Sequence, residues 1–177
     1  MYKTELLKDL KILDDQLKYI YEKVEVFPTE IIKKRIANKW SVEEHLYHSF
    51  LVEKLSLSYI QKKTLHPQKL VSIGISPYVK FFILKIVLFF KVKLKAPKVV
   101  SSFPELIAID QLYIEWTAVR SSLNQTIQSL PEETLKKGIF KHPLLGRLSM
   151  CLTLKFFKFH FNHHLNTVSN ILSTFIR

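Results

Sequence analysis

Apolar residues recur three or four positions apart over most of this chain, and the rhythm breaks where glycine and proline fall. Leu6, Leu10, Leu13, Leu17, Ile20 and Val24 form the first such stripe, with charged residues between them. At 3.6 residues per turn this spacing puts them on one face, which predicts an amphipathic helix ending before Phe27 and Pro28. Residues 29–39 are expected to form a short helical turn and a loop. A second helix is predicted from Trp40 and Ser41, because Ser41 and Glu44 have the spacing of a capping box. In that motif the hydroxyl accepts from a free N–H of the first turn, and the carboxylate accepts from the N–H of the cap residue. His48, Leu51, Val52, Leu55 and Tyr59 then share one stripe, so His48 is expected to point inward.

Residues 65–76, with Pro67 and Gly74, read as a linker. Residues 77–94 (PYVKFFILKIVLFFKVKL) are the most apolar stretch, but Lys80, Lys85, Lys91 and Lys93 interrupt it. No run approaches the ~20 apolar residues that a transmembrane helix needs, so a span is rejected. The segment is expected to pack on the bundle or on a second copy of the chain, giving a homodimer. The alternative is a basic amphipathic helix resting on an anionic membrane, which is disfavoured because the lysines do not gather on one face. After a proline-bearing loop at 95–104, Leu106, Ile109, Leu112, Trp116, Val119, Leu123 and Ile127 predict a third long helix over 105–130, closed by Pro131. Residues 132–148 read as a connector. Ser149 then opens a last helix whose stripe runs through Leu152, Phe156, Phe157, His160, His164, Val168, Ile171, Leu172 and Phe175. No strand-like alternation competes anywhere. Four long amphipathic helices predict an all-α fold: a four-helix bundle with an additional helical insertion between the second and third long helices, as a single domain over 1–177.

Composition narrows the function classes. Among 177 residues 47% are hydrophobic and only three are glycine, which excludes disorder. The net charge of +12 raises the question of an acidic partner. Lysines scattered along the helices read as a solvated surface, and no nucleic-acid module or basic–aromatic stacking pattern is present, so no nucleic-acid partner is expected. A lone cysteine, Cys151, rules out an internal disulfide framework and reads as a buried structural residue. The N-terminus, MYKTELLKDLKILDDQ, lacks the apolar core of a secretory signal, and a cytoplasmic location is expected.

Five of the seven histidines fall in two clusters, His45 with His48 and His160 with His163 and His164. His160 and His164 are four residues apart and therefore one turn apart on one helix face. Two imidazoles so placed can share a metal ion if a third ligand arrives from elsewhere, and a catalytic site commonly has three protein ligands and an open position. His48 is the best third ligand; His45, one turn earlier, could substitute or stand behind the ligands. His163 lies off the core stripe and is set aside as a neighbour. His142 reads as a loop residue, His66 carries no signal, and Trp40 and Trp116 read as core or pocket-lining aromatics. Glu44 reads as a cap and Glu53 as solvated, and no catalytic residue is assigned.

The runs WSVEEHLYH at 40–48, HPLLGRLS at 142–149 and HFNHHL at 160–165 together resemble the DinB-like superfamily, four-helix metalloproteins that include YfiT-type metal-dependent hydrolases. The resemblance covers both ends of the bundle in the expected order. It implies a divalent metal, zinc or nickel, held by His48, His160 and His164. It also implies either a metal-dependent hydrolase or a thiol-dependent transferase acting on a small-molecule substrate with a low-molecular-weight thiol. Many members carry an arginine after the last histidine and a glutamine slightly further on; here Leu165, Asn166 and Thr167 follow His164, a departure that bears on substrate rather than on metal. The rival reading is a non-catalytic binding or structural bundle whose basic surface meets a membrane or another acidic partner.

Overall fold

The computed structural model describes residues 1–37, 39–89, 97–103 and 105–176. Four long helices, α1 (Tyr2–Val24), α3 (Val42–Thr64), α6 (Ile109–Ser129) and α8 (Met150–Ser173), form the bundle, and shorter helices α2 (Thr29–Lys33), α4 (Ser76–Phe89), α5 (Lys98–Ser101) and α7 (Glu132–Lys136) decorate it. The first helix buries the six stripe residues named above and nothing else. Helices α1 and α3 each pack against both α6 and α8, which places α1 diagonal to α3.

Side-chain contacts set the directions. Lys3 donates to the Gln128 carbonyl at 2.7 Å and Tyr21 to Asp110 at 3.0 Å, so α1 and α6 are antiparallel. Lys158 donates to Asp9 and Gln16 to Asn162, so α1 and α8 are parallel. His45 meets His164 and His48 meets His160, so α3 and α8 are antiparallel. The chain therefore runs up, down, down and up. Because α3 and α6 point the same way, the link between them must return along the bundle. The 23 residues of α3 measure about 34 Å at 1.5 Å per residue, and this return accounts for the helical insertion. Within it α4 turns Pro77, Phe81 and Leu84 inward, and the Phe81 ring meets Phe159 of α8 edge-on at 5.9 Å. Residues 90–94 of the expected apolar segment, the following residues to 96, and Pro104 lie outside the described residues.

Several expectations need correction. The third long helix starts at Ile109 rather than near 105: Ala108 is extended (φ −54°, ψ 148°), and Leu106 and Ile107 lie half-buried before the helix begins. The connector holds a β-hairpin after α7, with β1 (Phe140–His142) antiparallel to β2 (Gly146–Leu148) and Phe140 opposite Leu148. Three residues per strand are too few for alternation to show in sequence. Gly146 supplies the left-handed conformation that the turn needs (φ +81°), and His142 Nδ1 accepts from the N–H groups of Leu144 and Leu145, both at 3.1 Å. Of the stripe expected to face inward along α3, only His48 is buried: Leu51, Val52 and Tyr59 are half-buried and Leu55 is exposed, while the face that packs on the bundle runs through Leu46, Phe50, Glu53, Leu57 and Ile60. Cys151 is only half-buried.

Glu53 is the clearest departure from the sequence reading. Rather than solvated, it is buried in mid-bundle and paired with Arg120, which is only 2% exposed. Arg120 Nε donates to Glu53 Oε2 at 2.5 Å, a second guanidinium N–H donates to Oε1 at 2.9 Å, and Trp116 Nε1–H donates to Oε2 at 3.0 Å. Another N–H of Arg120 reaches Asp14 of α1 at 3.3 Å, so one guanidinium ties together α1, α3 and α6. A bidentate buried pair of this kind is costly to break from one side, since the remaining charge is stranded. Arg120→Met alone is expected to lower unfolding free energy by about 3–5 kcal/mol in urea titrations, whereas Glu53→Leu combined with Arg120→Met loses much less. Equal losses in the single and double variants would refute the coupling.

Candidate metal centre

Two caps set the positions of the histidines. At the start of α3, Ser41 Oγ accepts from the Glu44 N–H at 3.2 Å and Glu44 Oε2 accepts from the Ser41 N–H at 2.8 Å, so the expected capping box is present. Burial alone would raise the Glu44 carboxyl, but hydrogen bonds from Arg35 and from Ser41 hold it below the usual range. With this turn pinned, His45 and His48 occupy the first two turns of α3. Helix α8 starts in a similar way, with Ser149 Oγ accepting from Leu152 N–H, and His160 and His164 follow later along it.

The antiparallel packing of α3 on α8 brings three imidazoles together. His48 Nε2 is 3.1 Å from His160 Nε2, which is 3.2 Å from His164 Nε2, and ligand nitrogens of all three lie within 4.8 Å of one another. Three nitrogens at the usual zinc–nitrogen length of about 2.0–2.1 Å in a tetrahedral arrangement stand roughly 3.3–3.4 Å apart. The donor set fits a single divalent ion.

Proton positions point the same way. His48 Nδ1 is 2.7 Å from the Val100 carbonyl oxygen. A carbonyl only accepts, so Nδ1 carries the proton and neutral His48 turns a lone pair at Nε2 toward the other two rings. Behind His164, His45 Nδ1 stands 2.9 Å from His164 Nδ1. If His164 donates there, its Nε2 is also a lone pair. Without a cation, one N–H of His160 would have to serve two acceptors; with one, all three lone pairs have a common partner. The Val100 and His45 contacts are the kind of outer support that fixes the tautomer of a metal-binding histidine.

Burial is the main cause of the low basicity of this cluster. It pushes His160 and His164 far below the ordinary histidine range, with neighbouring imidazoles adding to the effect. It also lowers His48, partly offset by the Val100 hydrogen bond, and pushes His45 down to about 4. The rings are therefore neutral near pH 7, the form that a metal requires. His48 and His164 are buried and His160 is intermediate in exposure. His163 is exposed and outside the cluster, and so is His66. His142 reaches the site through aromatic contacts: its ring lies 4.4 Å from Phe156, and Phe156 lies 5.4 Å from His160.

Trp40 closes one flank, with its ring 5.0 Å from His48, 5.5 Å from His45 and 5.3 Å from Phe103. Phe103 also lines an open cavity of about 400 Å³, together with Lys33, Arg35, Ser41, Glu43 and Glu44. Glu43 is buried and makes no hydrogen bond or ion pair among the described residues; burial raises its carboxyl, and Lys33 opposes that. Sequence reasoning missed the Val100 carbonyl, because a backbone acceptor delivered by a linker leaves no side-chain signal. It had the signal for Trp40, which directly precedes the cap, without the means to place the ring.

No family model, no curated protein and no solved structure matches this chain.

Two outcomes follow from this geometry. His45→Ala should leave the three nitrogens in place but loosen His164, weakening zinc affinity by about 10–100-fold in competition with a chromogenic chelator. Chelator-treated protein should lose stability as pH falls from 6.5 toward 4. Histidines of the unfolded chain take up protons near 6.5, whereas His45 and His142 in the folded state do so only near 4, so acid favours unfolding. A flat melting temperature across that window would contradict the buried neutral state of these rings.

Proposed function

We propose that the chain is a DinB-like metalloprotein that binds one divalent ion, zinc or nickel, through His48, His160 and His164. On this reading it is a metal-dependent hydrolase or a thiol-dependent transferase for a small-molecule substrate. The observation that carries the proposal is the convergence of the three Nε2 atoms, contributed by helices distant in sequence, at separations suited to a shared ion. The motif resemblance and the all-helical bundle support the family reading.

When bound, such an ion supplies Lewis acidity that lowers the pKa of a coordinated water or thiol, giving a nucleophile near neutral pH. The chain's own residues do the rest. The Val100 carbonyl and His45 hold two of the imidazoles in orientation. Trp40 covers one side of the cluster, with Phe103 packed against its ring. The cavity lined by Phe103 contains no ligand histidine; it offers Lys33 to acidic groups of a substrate and the Glu43 carboxyl to a basic or hydroxyl group. Glu53 is held by Arg120 and Trp116, and Glu44 by Ser41 and Arg35, so neither carboxylate is free to act as a base.

Protein purified without added metal should contain about one zinc or nickel per chain by elemental analysis, as a single three-histidine site requires. His48→Ala, His160→Ala and His164→Ala should each lose it while circular dichroism stays helical. Metal-loaded protein should then consume a small thiol in the presence of an electrophile, or hydrolyse a member of an ester and amide panel, and His164→Ala should not. A metal-free protein indifferent to added zinc and nickel would sink the proposal at its first step. A loaded protein inert toward both panels would sink the enzymatic half.

A further inference from the structure

The positive charge of this chain is not scattered. Residues 54–104 contain ten lysines and no aspartate or glutamate, which accounts for ten of the twelve net positive charges. The same segment contains α4. Along α4 and the residue before it, Ile75, Tyr78, Val79, Phe82, Ile83 and Ile86 are all exposed, between 41% and 79%. Their spacing of three and four repeats without a break. At ~100° per residue they cover an arc of about 140° on one side of the helix. Pro77, Phe81 and Leu84 hold the opposite side to the protein.

The lysines of α4 border this apolar arc. Lys80 falls beyond one edge and Lys85 just beyond the other, on the same ~100° scale. Both are exposed, and the Lys85 ammonium lies 5.0 Å from the Phe81 ring centre, above the anchored side of the helix. The sequence reading looked for one lysine face and found none, because the charges sit on two flanks of an apolar face.

We infer that α4 is a membrane-surface element: its apolar arc enters the headgroup region of an anionic bilayer while Lys80 and Lys85 reach the phosphates on either side. An exposed apolar face bordered by lysines, in a segment free of acidic residues, is matched to such a surface by both hydrophobicity and charge. A second copy of the chain fits poorly, because face-to-face pairing would bring lysine flanks against lysine flanks. No helix among the described residues is long and apolar enough to cross a membrane, and Lys80, Lys85, Lys91 and Lys93 interrupt the apolar run. The inference is independent of the metal.

Co-sedimentation of the intact protein with vesicles of phosphatidylcholine alone, and of phosphatidylcholine mixed with phosphatidylglycerol, tests it. Binding is expected to the mixed vesicles only and should weaken at high salt. Phe82→Ser with Ile83→Ser, both exposed, should abolish binding while the melting temperature is retained. Lys80→Gln with Lys85→Gln should weaken it about tenfold or more, given ~1 kcal/mol per basic residue at an anionic surface. Absence of binding to the mixed vesicles would overturn the inference, as would binding that survives Phe82→Ser with Ile83→Ser. Light scattering that shows a dimer which the same apolar substitutions split, with no vesicle binding, would assign the face to a second copy instead.

Discussion

A helix that follows its predecessor in the same direction needs a connection as long as the helix itself. The parallel α3 and α6 impose this on residues 65–108, and the chain's distinctive features hang on that return path. It carries α4 along the bundle with one face anchored and the other left outside. It delivers the Val100 carbonyl to His48 and sets Phe103 against Trp40 beside the histidines. A bundle with short links between antiparallel neighbours would have no chain in those places.

Two buried polar clusters meet the cost of desolvation in different ways. In mid-bundle, Glu53, Arg120 and Trp116 satisfy one another, with Asp14 completing the guanidinium, so that cluster is closed and its work is to hold three helices in register. Nearer the start of α3, the histidines contact one another through their ring nitrogens, with His160 Nε2 between His48 Nε2 and His164 Nε2. Each has its outer nitrogen or its neighbourhood arranged, and the inner lone pairs are left facing a common point. The first cluster joins opposite charges, whereas the second gathers neutral bases whose nitrogens stand at separations that a shared ion would suit.

The fold class was legible in the sequence because long amphipathic helices advertise themselves through a repeat sustained over five or six turns. The stripe from Leu6 to Val24 is buried as its spacing implies, and Ser41 with Glu44 closes the capping box that its residues announce. The hairpin at 140–148 was not legible, because its strands are too short to show a period. Leu55 was misplaced because the stripe drawn through Leu51, Val52, Leu55 and Tyr59 is rotated away from the face that α3 buries, which runs through Leu46, Phe50, Glu53, Leu57 and Ile60.

Local spacing determined that His160 and His164 share a face and that the second helix begins at Ser41; each depends only on residues within a turn or two of one another. The burial of His48 was decided by tertiary contacts, since the other residues of its expected stripe are half-buried or exposed. Only the tertiary structure decided that these faces meet, since contact between α3 and α8 depends on helix direction and on the length of the return link. The partner of Glu53 was decided there too: Arg120 is 67 residues away, although the register of Leu46, Phe50, Leu57 and Ile60 around Glu53 did carry the signal that it is buried. The two faces of α4 likewise became distinct only once the bundle had covered one of them, because a helix that is apolar nearly all round carries no sign of which side will be left to the solvent.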